Sequence, residues 1–455
     1  MEKQELRAAL SLAAVFSVRM LGLFMIYPVF AAFAGQLAGA TPYKIGLALG
    51  IYGLSQGLLQ MPFGLISDRI GRKVMIVLGL VLFAIGSAVA ASSQTIDGVI
   101  WGRVLQGAGA VGSVILALVA DLTAEESRTK AMALVGMTIG FSFLVAIVAG
   151  PAVAGWIGVG GIFWLMAALG LVGIAITTLA VPAPRRQRLH REAETVPGLL
   201  GATLRNRELL RLDFGIFALH AMLIASFLVL PGLLHGTLGL SSQDQWVVYL
   251  PVLLASVALM VPAIIIAERY RRMKGVLVGA VVALVVSQLM LAADGHNVYV
   301  LIAGITIFFA GFNIMEASLP SLVTKAAPSG STGTATGIYS SSQFLGIFVG
   351  GVVGGWVNQT GGAVRVFIFA GALAALWLLA AATMRPPSHL TTRLVRVGSR
   401  SAADADRLSA QLRQVPGVAE ALVVPGEGLA YLKVDSRVFD RAKAETVAGA
   451  TFEAV

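Results

Sequence analysis

The chain has 455 residues, of which 57% are hydrophobic and only 12% are charged. Its mean hydropathy of +0.85 and its long apolar stretches exclude an ordinary water-soluble domain and indicate a membrane-embedded protein. The net charge of +10 does not indicate nucleic-acid binding, because the basic residues lie mainly in short breaks between apolar stretches, where they set membrane orientation. The absence of cysteine excludes disulfides and thiolate metal sites.

The apolar stretches are long enough to cross a bilayer, at about 20 residues per crossing. The first stretch carries no small-residue cleavage pattern, so we expect it to be retained as a helix. The longest polar break separates six stretches from six more. The predicted spans are 8–33, 44–64, 73–91, 96–120, 130–154, 160–181, 211–234, 246–267, 275–293, 298–322, 334–356 and 363–384.

This pattern predicts an all-α membrane protein with 12 transmembrane helices in two six-helix halves, followed by a small C-terminal α+β domain. The predicted units are an N-terminal bundle at 1–181, a central cytoplasmic loop at 182–210, a C-terminal bundle at 211–385 and a cytoplasmic domain at 388–455.

Residues 64–73, with the sequence GLISDRIGRK, form a short polar interruption between two apolar stretches. So short a link makes the flanking spans adjacent and antiparallel, and its cations place it on the cytoplasmic side. Gly64 and Gly71 permit a close turn, and Asp68 needs a cation or a positive helix N-terminus as its partner. The corresponding segment 268–274, ERYRRMK, keeps the cations and lacks the glycines, so we interpret it as a degenerate copy in the second half.

The segment resembles the Gly-x-Leu-x-Asp-Arg-x-Gly-Arg-Lys signature between the second and third helices of the major facilitator superfamily of secondary transporters. The alternative is a solvated basic turn at a membrane surface, and the nearly complete match favours the signature. The resemblance implies a latch that bridges the two halves, in which a carboxylate at the end of the fourth span joins the motif. The implied latch residues are Gly64, Asp68, Arg69, Gly71, Arg72 and Asp121.

Charged residues at membrane depth are costly and are therefore candidates for function. Arg19 lies about ten residues into the first span, near the bilayer centre at 1.5 Å per residue. Arg103 begins the sequence RVLQGAGA, which resembles an Arg-x-x-Gln-Gly motif that the family links to proton coupling. An arginine held by backbone carbonyls at a helix contact is the alternative. His220 lies midway along the seventh span, and Glu316 lies in the tenth.

The resemblance implies that the first, fourth, seventh and tenth helices line a central cavity, so these four charged or titratable residues would face it. Burial favours the neutral form of a carboxyl group, and a histidine titrates near neutrality, so Glu316 or His220 could carry a coupled proton. A neutral His220 that is hydrogen-bonded between helices is the alternative. An adaptable substrate lining is also predicted, from side chains that could instead pack or face lipid. These are Phe24, Met25, Tyr27, Tyr52, Met222, Asn313 and Met315.

The composition becomes that of a soluble domain after residue 387. A strand, a helix, two strands around a hairpin at 425–428 and a second helix predict a βαββαβ, ferredoxin-like domain. The domain is similar to heavy-metal-associated domains, which bind metal through Cys-x-x-Cys after the first strand. Here that place is Gly-Ser-Arg-Ser at 398–401, so no metal is predicted. We expect the domain to contact the transporter body or a cytoplasmic ligand.

Together the residues and the resemblance predict a proton-coupled antiporter of the bacterial inner membrane that exports small, lipophilic compounds. Its expected partners are the substrate, protons and the bilayer, with no nucleic acid, no cofactor and no enzymatic activity. An uptake symporter or uniporter is one alternative, which the direction of proton-driven transport distinguishes. A membrane sensor is another. Deletion of 388–455 distinguishes the sensor, because a sensor would lose its output whereas a transporter would keep basal transport.

The asymmetry of cations between loops predicts that both termini are cytoplasmic. Because the chain has no native cysteine, single introduced cysteines report their own exposure. Arg188→Cys and Arg271→Cys should not react with a membrane-impermeant thiol reagent added outside intact cells, whereas Ser242→Cys and Gly295→Cys should react. Reaction of the cysteine at position 188 from outside would contradict this orientation.

Overall fold

The computed structural model describes residues 3–123, 125–182, 196–385, 390–398, 401–425, 428–435 and 437–449. Its helices are α1 (Lys3–Met25), α2 (Tyr27–Ala34), α3 (Pro42–Ile70), α4 (Arg72–Ser92), α5 (Ile96–Ala108), α6 (Gly112–Leu122), α7 (Glu125–Leu179), α8 (Leu200–Thr203), α9 (Arg207–Leu238), α10 (Trp246–Arg269), α11 (Met273–Asp294), α12 (Val298–Ala326), α13 (Thr332–Ala382), α14 (Ala402–Leu412) and α15 (Arg441–Ala448). Its strands are β1 (Leu390–Arg396), β2 (Val418–Val424) and β3 (Leu429–Asp435).

Nine helical segments within the described residues are long and apolar enough to cross a membrane. Two of them, in α7 and α13, have 50 and 51 residues, about twice the length that one crossing needs. Each is broken once, at Gly158 and at Gly362, where φ is 69° and the helix cannot continue. With these two counted twice, and with the 29-residue α3 added, the described helices make 12 crossings. The predicted fold class is confirmed.

Two spans that were predicted as single helices are broken. The first is divided into α1 and α2 at Ile26, two residues before Pro28, although Ile26 keeps helical dihedral angles. Pro28 has no amide hydrogen to donate within the helix and is favoured in the first turn of a new one. The fourth is divided into α5 and α6 around Gly109. Such breaks at membrane depth are tolerated where the freed backbone groups are buried in protein.

The segment 64–73 is not the interhelical loop that the sequence suggested. Helix α3 continues to Ile70, so Gly64 lies inside a helix and its predicted role in a close turn is wrong. In this segment only Gly71 leaves the helical conformation, with a φ of 101° that favours glycine. The turn is this short because α4 begins at the next residue.

The two halves meet where α3 packs closely against α13. A Cβ atom added to Gly50 would lie 2.7 Å from the carbonyl oxygen of Phe348, and one added to Gly351 would lie 2.8 Å from the Cα of Gly50. Small residues allow membrane helices to approach backbone to backbone in this way. Further along the contact, Ser341 Oγ donates to the carbonyl oxygen of Gly57 at 3.3 Å.

The C-terminal domain has a three-stranded antiparallel sheet in the order β1-β3-β2. Its core combines residues of α14, α15 and the three strands, including Leu408, Leu412 and Leu432. The order of strands and helices agrees with the prediction through α15. The last predicted strand lies outside the described residues, as do 399–400 in the Gly-Ser-Arg-Ser segment, 426–427 in the hairpin turn and 183–195 in the predicted central loop.

We expect Gly50→Ala to destabilise the protein, because its new methyl group would collide with the backbone of α13. Overpacking of this kind costs about 1–3 kcal/mol. Gly232→Ala is the matched control, since a Cβ there meets nothing within 4 Å and α9 is helical at that point. Thermal unfolding in detergent should show a lower Tm for Gly50→Ala only. Equal Tm values for the two variants would contradict the backbone contact.

Candidate functional site

Most of the predicted latch residues meet where α3 ends and α4 begins. Arg72 is buried and pairs with both Asp68 and Asp121, and its Nε lies 3.3 Å from Asp121 Oδ2. Its Nη1 also donates to Ser67 Oγ at 2.6 Å. The side chain of Asp121 is fully buried at the end of α6. One guanidinium therefore connects α3, α4 and α6, and we call this end of the bundle the latch side.

Asp68 borders a cavity at the contact between the two halves. Gly64 and Leu65 line its α3 side, and Gly333 and Thr336, in the first turns of α13, line the other side. A helix N-terminus carries free amide groups and partial positive charge, so a carboxylate nearby is stabilised. Arg69 is exposed and is not among the residues that line this cavity, so its part in the latch stays a prediction.

Glu316, His220 and Gln343 meet inside the C-terminal half. His220 Nε2 lies 3.8 Å from Glu316 Oε2 and 2.8 Å from Gln343 Nε2. The other ring nitrogen, Nδ1, lies 3.3 Å from the carbonyl oxygen of Ile216. The three side chains come from α9, α12 and α13. Although 36% of the Glu316 side chain is exposed, its Oε2 is buried and has no hydrogen-bond partner within the described residues.

The hydrogen bonds of His220 indicate its tautomer. A carbonyl oxygen can only accept, so Nδ1 carries the hydrogen and donates it to Ile216. Nε2 then accepts from the amide of Gln343 as that amide is oriented. If Nε2 takes a proton, it becomes a donor, and the amide of Gln343 must rotate so that its oxygen faces the ring. The charge of His220 is therefore linked to the orientation of the Gln343 amide on α13.

Arg19 and Arg103 lie together in the N-terminal half. Both are 1% exposed, and both guanidiniums lie near the ring of Tyr52, with Cζ 5.9 Å and 4.9 Å from its centroid. Arg19 Nη2 donates to the hydroxyl of Tyr52 at 2.7 Å and to Gln56 Oε1 at 2.5 Å. Its Nε and Nη1 have no hydrogen-bond partner within the described residues.

Arg103 is held mainly by the backbone of α3. Its Nε and Nη2 donate to the carbonyl oxygens of Ala48 and Leu49 at 3.2 and 3.4 Å, and its Nη1 donates to Gln106 Oε1 at 2.9 Å. These contacts agree with the alternative interpretation of Arg103, in which backbone carbonyls hold the arginine where two helices meet. The contacts of Arg19 and Arg103 all lie in the N-terminal half, so these cations do not meet Glu316 directly in this conformation.

The residues of the predicted substrate lining are mostly packed in the interior. Met25, Tyr27, Tyr52, Met222 and Met315 are at most 2% exposed, Asn313 is 8% exposed, and Phe24 is half-buried. An aromatic contact connects the halves, since the ring of Phe143 lies 5.4 Å from that of Phe312. Within the N-terminal half, Phe143 also lies 5.2 Å from Phe24. Phe312 in turn lies 5.7 Å from His220. Contact of the lining with a substrate stays a prediction.

Sequence reasoning did not single out Gln343 or Tyr339 near this site, and it set Asp213 aside as too near the end of its span. Gln343 contacts His220, and the signal that could have identified it is an amide in an apolar span. Asp213 near the start of α9 is 7% exposed, and Tyr339 on α13 is 6% exposed. Asp213 Oδ1 and the Tyr339 hydroxyl are buried without a hydrogen-bond partner in the described part of the chain.

Two packed six-helix halves, each with charged or titratable side chains buried among its membrane-spanning helices, are the architecture of a membrane transporter. The sequence matches the Major Facilitator Superfamily over residues 12–244 and 212–416, and the YajR YAM domain over 399–449. The chain therefore belongs to the major facilitator superfamily and is a transporter rather than an enzyme.

Similar proteins agree with this assignment. The chain is 43% identical to the inner membrane transport protein YajR of Escherichia coli over 441 residues, which is 97% of each chain. It is 23% identical to multidrug resistance protein 1 of Bacillus subtilis over 406 residues, covering 86% of this chain and 99% of that one. Its fold is similar to that of a bacterial homologue of the human lysosomal transporter Spinster, with a TM-score of 0.68, 13% identity and coverage of 84% and 96%.

We expect Asp68→Asn to weaken the latch, because the amide keeps the shape of the side chain and removes its charge. A coupling of about 1–3 kcal/mol would shift the populations of the two states roughly 5- to 150-fold. Cross-linking between Leu65→Cys and Ser340→Cys, which both line the cavity, should therefore fall. Asp97→Asn is the control, since Asp97 pairs with Lys44 in an exposed position away from the cavity. An unchanged cross-link yield in Asp68→Asn would rule out the electrostatic latch.

Proposed function

We propose that this chain is a proton-coupled antiporter that exports small, lipophilic compounds, and that Glu316 carries the coupled proton. The observation that supports this most directly is the 3.8 Å separation between Glu316 Oε2 and His220 Nε2, deep between α9 and α12. An ionised Glu316 attracts a protonated His220, and a neutral Glu316 does not. At such a distance the Coulomb energy is large where water is scarce, so proton transfer changes how strongly the two helices attract each other.

Helix α13 offers a path from this proton site to the latch. Gln343 on α13 contacts His220, and Ser340, one turn earlier in the same helix, borders the cavity of Asp68. A proton that changes the hydrogen bond between His220 and Gln343 therefore acts on the helix that separates from α3 when the latch opens. This connection supports a coupling between protonation and alternating access.

The cations of the N-terminal half are also connected to α13. Tyr52, which contacts both Arg19 and Arg103, has its ring centroid 6.5 Å from that of Phe344, the neighbour of Gln343. We therefore assign Arg19 and Arg103 an indirect role in proton release, through the position of α13, instead of direct contact with Glu316.

Direction, substrate class and orientation complete the proposal. The aromatic contacts of Phe143 suit lipophilic compounds, and one distant relative carries the name multidrug resistance protein. The name of YajR supports a place in the inner membrane. The distribution of cations between loops supports a cytoplasmic latch side, with both termini and the C-terminal domain in the cytoplasm.

Glu316→Gln tests the proton site, because the amide imitates a permanently protonated acid. In proteoliposomes, with a fluorescent lipophilic compound that the unaltered protein transports, this variant should keep binding and exchange. It should lose accumulation driven by a pH gradient and the pH dependence of transport. Glu208→Gln, which changes a partly exposed ion pair with Arg211 in the first turn of α9, is the control and should behave as the unaltered protein. If Glu316→Gln still builds a substrate gradient, the proton site lies elsewhere, and the buried Asp213 is the next carboxyl group to test.

A further inference from the structure

In the described part of the C-terminal domain, α14 and α15 both pack against one face of the sheet. On β3, Ala430, Leu432 and Val434 join the core that contains α14 and α15. Successive residues of a strand point to opposite faces, so Tyr431 and Lys433 point to the other face. Both are nevertheless buried, with exposures of 3% and 2%. A lysine is almost never buried on a bare sheet face, so another part of the chain covers it.

Lys433 reaches the end of α12, the tenth membrane-spanning helix. Its Nζ lies 2.7 Å from the carbonyl oxygen of Lys325 and 3.4 Å from that of Thr324, and it also donates to the carbonyl oxygen of Ala327. Helix α12 ends at Ala326, so these carbonyls are among the last, which have no partner within the helix. An ammonium group has three hydrogens to donate and is favoured at the negative end of a helix dipole.

Two further contacts come from the same part of the sheet. Glu420, which is paired with Lys433 in the sheet register, accepts hydrogen bonds from Ser329 N at 3.1 Å and Ser329 Oγ at 3.2 Å. Asp435 Oδ1 lies 3.7 Å from Arg271 Nη2. Ser329 lies in the turn between α12 and α13, and Arg271 lies in the turn between α10 and α11. Both turns are therefore tied to one surface.

We propose that the C-terminal domain is an intramolecular clamp, in which Lys433 caps α12 and the sheet holds the start of α13 against the latch. Ser329 precedes the first residue of α13, Thr332, by three positions. Gly333 and Thr336 then border the cavity of Asp68. The docked sheet thus restrains the segment that must move when the halves separate on the latch side. This inference does not depend on the transported compound or on proton coupling.

Cross-linking tests whether the sheet docks as described. In the full-length chain, Ser329→Cys with Glu420→Cys should react with a short bifunctional thiol reagent, and mass spectrometry of the joined peptides gives the yield. Ser329→Cys with Arg407→Cys is the control, because Arg407 is exposed on α14, on the helical side of the domain. The first pair should cross-link and the control pair should not. Adding Lys433→Met to the first pair should lower its yield several-fold.

Accessibility of the latch cavity tests whether docking acts on the latch. Ser340→Cys reports opening, because Ser340 lines the cavity. Lys433→Met should raise its rate of maleimide labelling roughly fivefold or more, the lower end of typical coupling between sites. Lys443→Met is the matched control, since Lys443 is exposed on α15, and it should leave the rate unchanged. Glu420→Ala, at an exposed position where loss of the side chain should not unfold the domain, should raise the rate in the same direction.

Either of two results would overturn the clamp. Equal cross-linking of the two cysteine pairs would show that the sheet does not dock through this face. Unchanged labelling of Ser340→Cys in both Lys433→Met and Glu420→Ala would show that docking has no effect on the latch.

Discussion

The close contact between α3 and α13 is the constraint on which the other functional features depend. Because Gly50 and Gly351 have no side chains, the two backbones approach until an added methyl group would collide. That distance brings the first turns of α13 to the cavity of Asp68. The same helix, α13, carries Gln343, which contacts His220 of α9. When helices pack backbone to backbone, a small displacement breaks many contacts at once. Helices α3 and α13 are therefore expected to be either packed together or separated, without stable intermediate positions.

The three buried arginines carry equal charges, but their surroundings compensate those charges in different ways. Arg72 has two carboxylates beside it, so its burial is compensated by charge, and breaking the pair would leave an isolated ion. Arg103 has carbonyl oxygens and an amide oxygen instead, which satisfy its hydrogens without cancelling its charge. Arg19 has two nitrogens without hydrogen bonds in the described residues. Of the three, Arg19 makes the fewest hydrogen bonds within the described residues, so it is the arginine whose burial most needs a functional reason.

The sequence was sufficient for the number of crossings, the paired halves and the order of elements in the C-terminal domain, because hydropathy and period-two alternation act locally. It was insufficient for the breaks at Ile26 and Gly109 and for the helical state of residues 64–70. A polar run at the end of a span looks like a loop because hydropathy does not record the buried contacts that its side chains make, such as that of Ser67 with Arg72. The contact of Gln343 with His220 was equally invisible, since it depends on how α9 and α13 pack, which no local pattern encodes.

Three separate features contact α13 or the turn before it, and under the two proposals above this helix is the element that changes position. The latch borders its first turns, Gln343 connects it to the proposed proton site, and the turn before it contacts the C-terminal domain at Ser329. If α13 has two positions, then the latch, the proton site and the C-terminal domain can each favour one of them. Their effects combine through the position of α13, so the three features need no contacts with one another. Because these equilibria share one conformational change, they are thermodynamically linked. A change at one feature therefore alters the free energy of the equilibrium at each of the others. A domain at the end of the chain can therefore alter a transport cycle without reaching the substrate.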